Sequence, residues 1–519
     1  MAAQANREDQ LSAGAGAFEE QDLLDVIVVG GGINGCGIAR DLAGRGLSVL
    51  LAERDDLAAH TSSSSTKLIH GGLRYLEHRE FALVRKSLQE RELLLRSAPH
   101  LMGALRFVMP WHAGVGRPAW MIRLGLFLYD HLARREWLPG SAGVKLKGET
   151  LGAPLQDRFE RGFTYYDGWA DDARLVVACA LDAHERGAQV LTRSPVVSAR
   201  RVDGVWHVEL QTPEGPRRCR ARALVNAAGP WAASFLRDGL QTHPRHELRL
   251  VRGSHIVVPA RFRHDSAYLF QNEDGRIIFA IPYRDRFTLI GTTDVEVEDP
   301  GAAEISAEEI EYLCAQASRY FREPVRGSDV VWTYAGVRPL IDDVHAGSAQ
   351  TASRDYLLEL DEDAAPLMTI WGGKLTTFRK LAEEASDRLV QRLQRTAPAW
   401  TSRAVLPGGN LSDWIAPSGK PDADFERFLS ALTSRYAALP PSLLRRLARA
   451  YGGRVERVLE DLGAEVAPGV FEGELRHLVQ SEWARTADDV LWRRSKLGLV
   501  LSAAEQQAVA DWLDASSSR

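Results

Sequence analysis

Three glycines and one glutamate near the start of the chain have the types and spacing of a dinucleotide site. Gly30, Gly32 and Gly35 fit G-x-G-x-x-G. In such a turn the first glycine allows the tight bend, the second lets the backbone approach a pyrophosphate, and the third lets helix and strand pack closely. Glu53 follows near the spacing of about 20 residues at which an acidic side chain meets the ribose hydroxyls of the adenosine. A carboxylate there argues against a 2′-phosphate, hence against NADP. The unit by itself leaves FAD and NAD open.

The elements that must position these residues are legible around them. Asp25–Val29 is a β-branched run without polar alternation, the pattern of a strand buried on both faces. A helical run opens at Cys36, so its free N–H groups and positive dipole end face the phosphates. Leu47–Ala52 is a second strand that ends at Glu53. The run Thr61–Thr66, which includes Ser64 and Ser65, passes through Lys67 and Leu68 into His70-Gly71-Gly72-Leu73-Arg74-Tyr75. It reads either as a flexible linker or as a loop of small hydroxyl residues wrapped around a phosphate or flavin ring. Two later segments repeat the strand-to-tight-turn pattern. Ala223–Ala228 leads into Gly229-Pro230, and Met368–Trp371 into Gly372-Gly373-Lys374-Leu375-Thr376, followed by a helix to about residue 395. If the ligand is a flavin, the start of that helix could face the ring edge that becomes negative on reduction.

The 519 residues suffice for two or three domains, and 45% hydrophobic and 26% charged residues are ordinary for a globular protein. A net charge of −5 excludes a global basic field, so no nucleic-acid partner is expected. Cys36, Cys179, Cys219 and Cys314 are scattered without metal-ligand spacing; neither a metal site nor a disulfide framework is expected, and four separated thiols suit a reducing cytosol. Residues 1–21 read as a disordered tail without a secretory signal, and no apolar run is long enough to span a bilayer.

Further along, residues 79–98 read as an ordinary surface helix. Residues 117–137 combine large apolar and aromatic side chains with Arg117, Arg123, Arg134 and Arg135, as in a core helix or an interfacial helix lying among lipid headgroups. A helix is expected from Val176 to Ala188 and strands from Val190 to Leu210. From Leu248 to Thr293 the pattern is all-β, an antiparallel sheet inserted into the α/β domain, followed by a helix over 303–322. Residues 396–420 have the composition of a linker, and 421–516 read as helical throughout.

Taken together, the glycine turn, Ser65–Glu77, Gly253–Pro259, Ile290–Asp294, Gly336–Pro339 and Gly372–Thr377 resemble the FAD-dependent glycerol-3-phosphate dehydrogenases, with the bacterial aerobic respiratory members most similar, over residues 23 to 515. The resemblance implies an α/β fold: a Rossmann-like FAD-binding domain with an antiparallel β-sheet substrate or cap domain, D-amino acid oxidase-like, plus a C-terminal all-α domain. Residues 22–395 then form the oxidoreductase domain, with FAD-binding segments near 22–80, 170–235 and 355–395 and cap segments near 81–169 and 236–354. Residues 396–420 are a linker and 421–519 the helical domain.

The resemblance further implies FAD as cofactor and oxidation of sn-glycerol 3-phosphate to dihydroxyacetone phosphate, with electrons passed to membrane quinone. It also implies a cytoplasmic protein peripherally associated with membrane lipid at the inner face of the cytoplasmic membrane; the assembly, a homodimer included, stays open. FAD is expected on Gly30, Gly32, Gly35, Glu53, Ser64, Ser65, Thr66, Lys67, Leu68, Gly229, Gly372, Leu375 and Thr376. A buried phosphate dianion needs fixed cations and donors, for which Arg74, Tyr75, Arg338 and Arg354 are the candidates. His70 or His255 is expected to remove the C2 hydroxyl proton, and Lys374 to stabilise the alkoxide or bind phosphate. The rival readings are an oxygen-using glycerol-3-phosphate oxidase, an amine or amino-acid oxidase of the same fold, and a flavin-binding scaffold without activity.

Overall fold

The apolar runs at the start, middle and end of the oxidoreductase region come together as one parallel sheet. In the computed structural model, which describes residues 23–77, 79–113, 117–341 and 355–517, Leu24–Val29 is central. It pairs in parallel with Val49–Ala52 on one side and with Gly215–Asn226 on the other, Val28 lying opposite Leu51 and Val225. Gln189–Leu191 extends the sheet beyond Val49–Ala52, and Leu367–Gly372 extends it beyond Gly215–Asn226; both additions are parallel. Strand Tyr356–Asp361 closes that edge antiparallel. Val26, Ile27 and Val28 are fully buried, which explains the absence of polar alternation in this run. Helices Ile33–Gly44, Asp172–Glu185 and Phe378–Arg392 cover one face.

The second sheet is the expected cap. Leu248–Pro259 is flanked by Phe287–Gly291 and by Trp332–Ile341, both antiparallel. Ile277–Tyr283, Ala267–Gln271, Met102–Trp111 and Arg161–Ala170 continue it. One pair departs from the antiparallel expectation: Ala267–Gln271 runs parallel to Met102–Trp111. The far edge is Leu68–Ile69, so the chain enters the cap directly from the hydroxyl-rich loop.

One expectation is qualified and two are corrected. Helix Phe81–Ser97 keeps an exposed face, as expected of a surface helix, but buries charge on the other; Glu90, Arg91 and Glu92 look like surface residues in sequence, yet Glu90 is held by Arg379 at 2.6 Å and Arg91 by Asp167 at 2.7 Å. Residues 396–420 contain no helix or strand but are packed, with Trp400 Nε1 donating to the Asp41 carbonyl at 3.0 Å and Leu406 buried. The C-terminal region is not helical throughout, since Glu465–Ala467 and Val470–Phe471 form a small hairpin among its helices. That domain packs against the regions of both sheets: Arg494 donates to both oxygens of buried Asp56 at 2.7 and 2.8 Å, and Trp492 stacks on Trp332 of the cap at 4.9 Å.

Candidate active site

Between the two sheets lies a cavity of about 650 Å³. It is bordered at one end by the Gly30–Gly32 turn, Glu53 and Gly229, and at the other by the cap residues His255 and Arg338.

The turn end is shaped by backbone proximity. Gly30 has φ of +110°, and a Cβ on it would stand 2.5 Å from the Ala227 carbonyl oxygen. A Cβ on Gly35 would stand 1.9 Å from the Gly30 carbonyl oxygen. Gly35 therefore does not border the cavity; it lets the helix seat against the turn. The first helical N–H, at Ile33, donates to Ser62 Oγ at 3.0 Å, which ties the hydroxyl loop to the helix start. Glu53 is buried and accepts from the N–H groups of Gly31 and Asp55. Burial pushes its carboxyl above the usual range in the face of those bonds. Arg54 lies 4.0 Å over the Trp231 ring, and His60 packs on the same ring.

Beside the start of helix Ile33–Gly44, Gly372 and Gly373 both have positive φ and turn the strand into Lys374–Thr377. Asn34 Nδ2 donates to the Gly372 carbonyl at 3.3 Å, while its Oδ1 is buried with no hydrogen-bond partner among the described residues. Thr376 Oγ1 bonds the His70 backbone, joining this turn to the hydroxyl loop. Lys374 Nζ lies 4.7 Å over the Tyr75 ring. Arg338 pairs with Asp294 at 2.7 Å and donates to the Thr293 carbonyl at 2.8 Å.

His255 is buried, its ring stacked on Tyr334 at 4.7 Å and its Nε2 3.0 Å from Thr66 Oγ1. It lies opposite Gly291, where a Cβ would stand 2.1 Å from the imidazole. Burial holds the imidazole well below the ordinary histidine range, and Lys67 and Arg338 add to the effect, so the ring is neutral at pH 7.

Most of the expected residues therefore meet at one cavity: Gly30, Gly32, Glu53, Ser64, Ser65, Thr66, Leu68, His70, Tyr75, Gly229, His255, Arg338, Gly372, Lys374, Leu375 and Thr376 all border it. Lys67 does not. Its ammonium is buried between Asp172 and the Ser63 carbonyl, each at 2.9 Å, because a lysine that close to an unsolvated carboxylate is held as an ion pair. Arg74 lies on the turn Leu73–Leu76 outside the cavity wall, and Arg354 lies outside the described residues. Sequence reasoning missed Asn34, Asp172 and Tyr334. Tyr334 could have been found by strand alternation, since residues 334, 336 and 338 share one face. Asp172, which accepts from Ser65 Oγ at 2.7 Å, carries no local signal.

A cavity with a phosphate-approach turn and, beside the Gly-Gly turn, a buried amide oxygen without a hydrogen-bond partner among the described residues fits a dinucleotide carrying a redox ring. The comparisons agree. Residues 25–379 match the family described as "FAD dependent oxidoreductase", and residues 399–517 match the "C-terminal domain of alpha-glycerophosphate oxidase". Glycerol-3-phosphate dehydrogenase of Pseudomonas aeruginosa is 50% identical, covering 95% of each chain. The aerobic glycerol-3-phosphate dehydrogenase of Escherichia coli K12 is 48% identical over 94% of this chain and 97% of that one. D-erythritol 1-phosphate dehydrogenase of Brucella abortus is 47% identical over 95% and 98%. The crystal structure of the Bacillus halodurans glycerol-3-phosphate dehydrogenase complexed with FAD superimposes with a TM-score of 0.76 at 29% identity, covering 96% of this chain and 92% of that one.

Fold and cavity thus define an FAD-dependent oxidoreductase of D-amino acid oxidase type with an added C-terminal domain. The chain belongs to the FAD-dependent glycerol-3-phosphate dehydrogenase family.

Proposed function

We propose that the protein oxidises sn-glycerol 3-phosphate to dihydroxyacetone phosphate and passes the electrons to a membrane quinone. One observation carries the substrate reading: Arg338 and Lys374 border the same cavity as Tyr75 and His255, with Lys374 Nζ 4.7 Å over the Tyr75 ring. A carboxylate substrate needs one arginine, whereas a phosphate dianion calls for more than one cation. Bound FAD supplies the acceptor for the hydride leaving C2. His255 takes the C2 hydroxyl proton: its ring is fixed by Thr66 and Tyr334. Burial and the Lys67 and Arg338 charges oppose its protonation, and the negative charge of the substrate phosphate offsets those two charges. His70 borders the same cavity and is the alternative base. Lys374 and Arg338 hold the phosphate and balance the developing alkoxide charge. Glu53 and the Gly30–Gly32 turn hold the adenosine and pyrophosphate portions.

The relatives' names support this reading, and the erythritol-phosphate enzyme among them widens the class to small polyol phosphates. The test is the visible spectrum of the purified protein under anaerobic conditions. Glycerol 3-phosphate should bleach the flavin, D-erythritol 1-phosphate should do so less readily, and quinone should restore the colour faster than air. A yellow protein indifferent to glycerol 3-phosphate overturns the substrate; faster recovery with air overturns the acceptor. The two histidines are separated by the rate of flavin reduction against pH in His70→Ala and His255→Ala. If neither changes it, neither is the base.

A lipid-soluble acceptor requires contact with a membrane, and helix Ala119–His131 suits it. Ile122, Leu126 and Tyr129 anchor it to the cap, while Trp120, Leu124 and Phe127 are 66%, 50% and 55% exposed. Arg123 and Arg134 are exposed beside this apolar stripe. Among the described residues no helix is long and apolar enough to cross a membrane. An exposed apolar stripe flanked by arginines supports a helix lying in the headgroup layer.

A further inference from the structure

Glu309 lies in the first turn of helix Ala307–Ser318, in an apparently ordinary capping box with Ser306. A surface glutamate would satisfy that role. This one is buried and receives three additional bonds from the cap sheet. Its Oε1 accepts from Thr293 Oγ1 at 2.6 Å and from Ser254 Oγ at 2.8 Å. Its Oε2 accepts from Arg252 at 2.7 Å, besides the Ser306 N–H at 3.0 Å.

The two segments it clamps are those against which Arg338 rests. Thr293 accepts from Arg338 through its carbonyl at 2.8 Å, and its hydroxyl accepts from the Ser254 N–H at 2.9 Å while donating to Glu309. Asp294, the next residue, pairs with the same guanidinium at 2.7 Å. The guanidinium also lies close over Gly253, where a Cβ would stand 2.3 Å from Nη2. The placement of Arg338 thus depends on where residues 293 and 294 sit relative to residues 253 and 254. The Thr293 N–H also bonds the Ser254 carbonyl directly at 3.3 Å, and the Glu309 carboxylate braces that contact from the side by bonding both hydroxyls.

We propose that Glu309 is a positioning residue for Arg338: it touches neither substrate nor cofactor, and it fixes the guanidinium through Thr293 and Ser254. The inference rests on the proposed role of Arg338 in holding the substrate phosphate. Bonds from Thr293, Ser306 and Ser254 outweigh burial and keep the carboxyl below its usual range, so it accepts as an anion at neutral pH.

The test uses holoenzyme variants Glu309→Gln and Thr293→Val, with Ser306→Ala as a control that removes the helix cap alone. Glu309→Gln should raise the KM for glycerol 3-phosphate about tenfold, change kcat by less than about threefold, and leave the FAD content unchanged. Thr293→Val should do the same, and it carries the test if Glu309→Gln does not fold. Ser306→Ala should lower Tm without moving KM. In a double-mutant cycle, Glu309→Gln added to Arg338→Lys should cost less than about twofold more, because the two act through one interaction. Independent multiplication of the two effects, or a fall in kcat with KM intact, would overturn the proposal. Inorganic phosphate, followed by its perturbation of the bound-flavin spectrum, separates this from the functional reading. Unchanged phosphate affinity in Glu309→Gln overturns the role of Glu309. Phosphate binding without any oxidation of glycerol 3-phosphate overturns the substrate and leaves that role standing.

Discussion

Phe127→Glu tests the membrane helix without disturbing the fold. Phe127 is 55% exposed, and the residues that hold its helix to the cap are Ile122, Leu126 and Tyr129 on the opposite face. Its removal should therefore shift stability by no more than about 0.5 kcal/mol. A phenylalanine buries ~150–250 Å². The exposed half leaves ~100 Å² to transfer into lipid, which at ~25 cal/mol per Å² is ~2.5 kcal/mol. That corresponds to a factor of roughly 70 in the partition coefficient. Phe127→Ala should lose part of this and Phe127→Glu more, since a carboxylate adds its own cost near an anionic surface. Arg117 and Arg135 are already engaged by Glu77 and Asp130. The electrostatic share accordingly rests on Arg123 and Arg134 among the described residues, at about 1 kcal/mol each near such a surface.

The assay is co-sedimentation with vesicles of anionic phospholipid, read beside turnover with a soluble acceptor. Wild type should bind, Phe127→Ala less and Phe127→Glu least, at unchanged soluble activity. Raising salt should weaken wild-type binding only modestly, because the apolar contribution exceeds the two charges. Equal partitioning of wild type and Phe127→Glu would remove this helix from the membrane contact. A loss of soluble activity in step with binding would show that the substitution had damaged the cap.

Arg338→Lys keeps the charge but loses the planar fork, so KM for glycerol 3-phosphate should rise about tenfold or more in steady-state assays. Gly35→Ala should yield protein with little FAD, read from the ratio of flavin to protein absorbance, because the added carbon overlaps the Gly30 carbonyl at 1.9 Å. Acid should weaken the fold through His100, whose imidazole is pushed by burial, with Arg174, Arg449 and Arg454 adding to it, from 6.5 to about 3. The unfolded chain then takes up that proton first as pH falls. The stabilisation is complete above about pH 6.5 and is lost toward pH 3, amounting to ~2 kcal/mol by pH 5. Urea denaturation at a series of pH values should show this slope, and His100→Gln should flatten it by one proton.

The parts of the site that were legible in the sequence are those whose residue type is dictated locally or by the ligand. Gly30 is set by its own φ of +110° and Gly35 by the Gly30 carbonyl five residues before it, so spacing alone reveals them. Arg338 and Lys374 stand out in the sequence because they lie in the blocks that resemble the family, where the proposed phosphate would call for cations. Lys67 sits within the same block and yet faces Asp172, more than a hundred positions away in the chain. Glu90 and Arg91 pass for surface residues until Arg379 and Asp167 arrive beside them. Such partners leave no periodic trace, because an ion pair needs only opposite charges in contact and any two elements can supply them. The same reasoning explains why Glu309 escaped notice. In sequence it completes a helix cap, and only the folded cap sheet turns its carboxylate inward toward Thr293 and Ser254. The residue meant for the ligand can be read from its type, but its aim is set by acceptors whose identity the ligand does not constrain. Substitutions at those acceptors are therefore where substrate affinity should change while the chemical step does not.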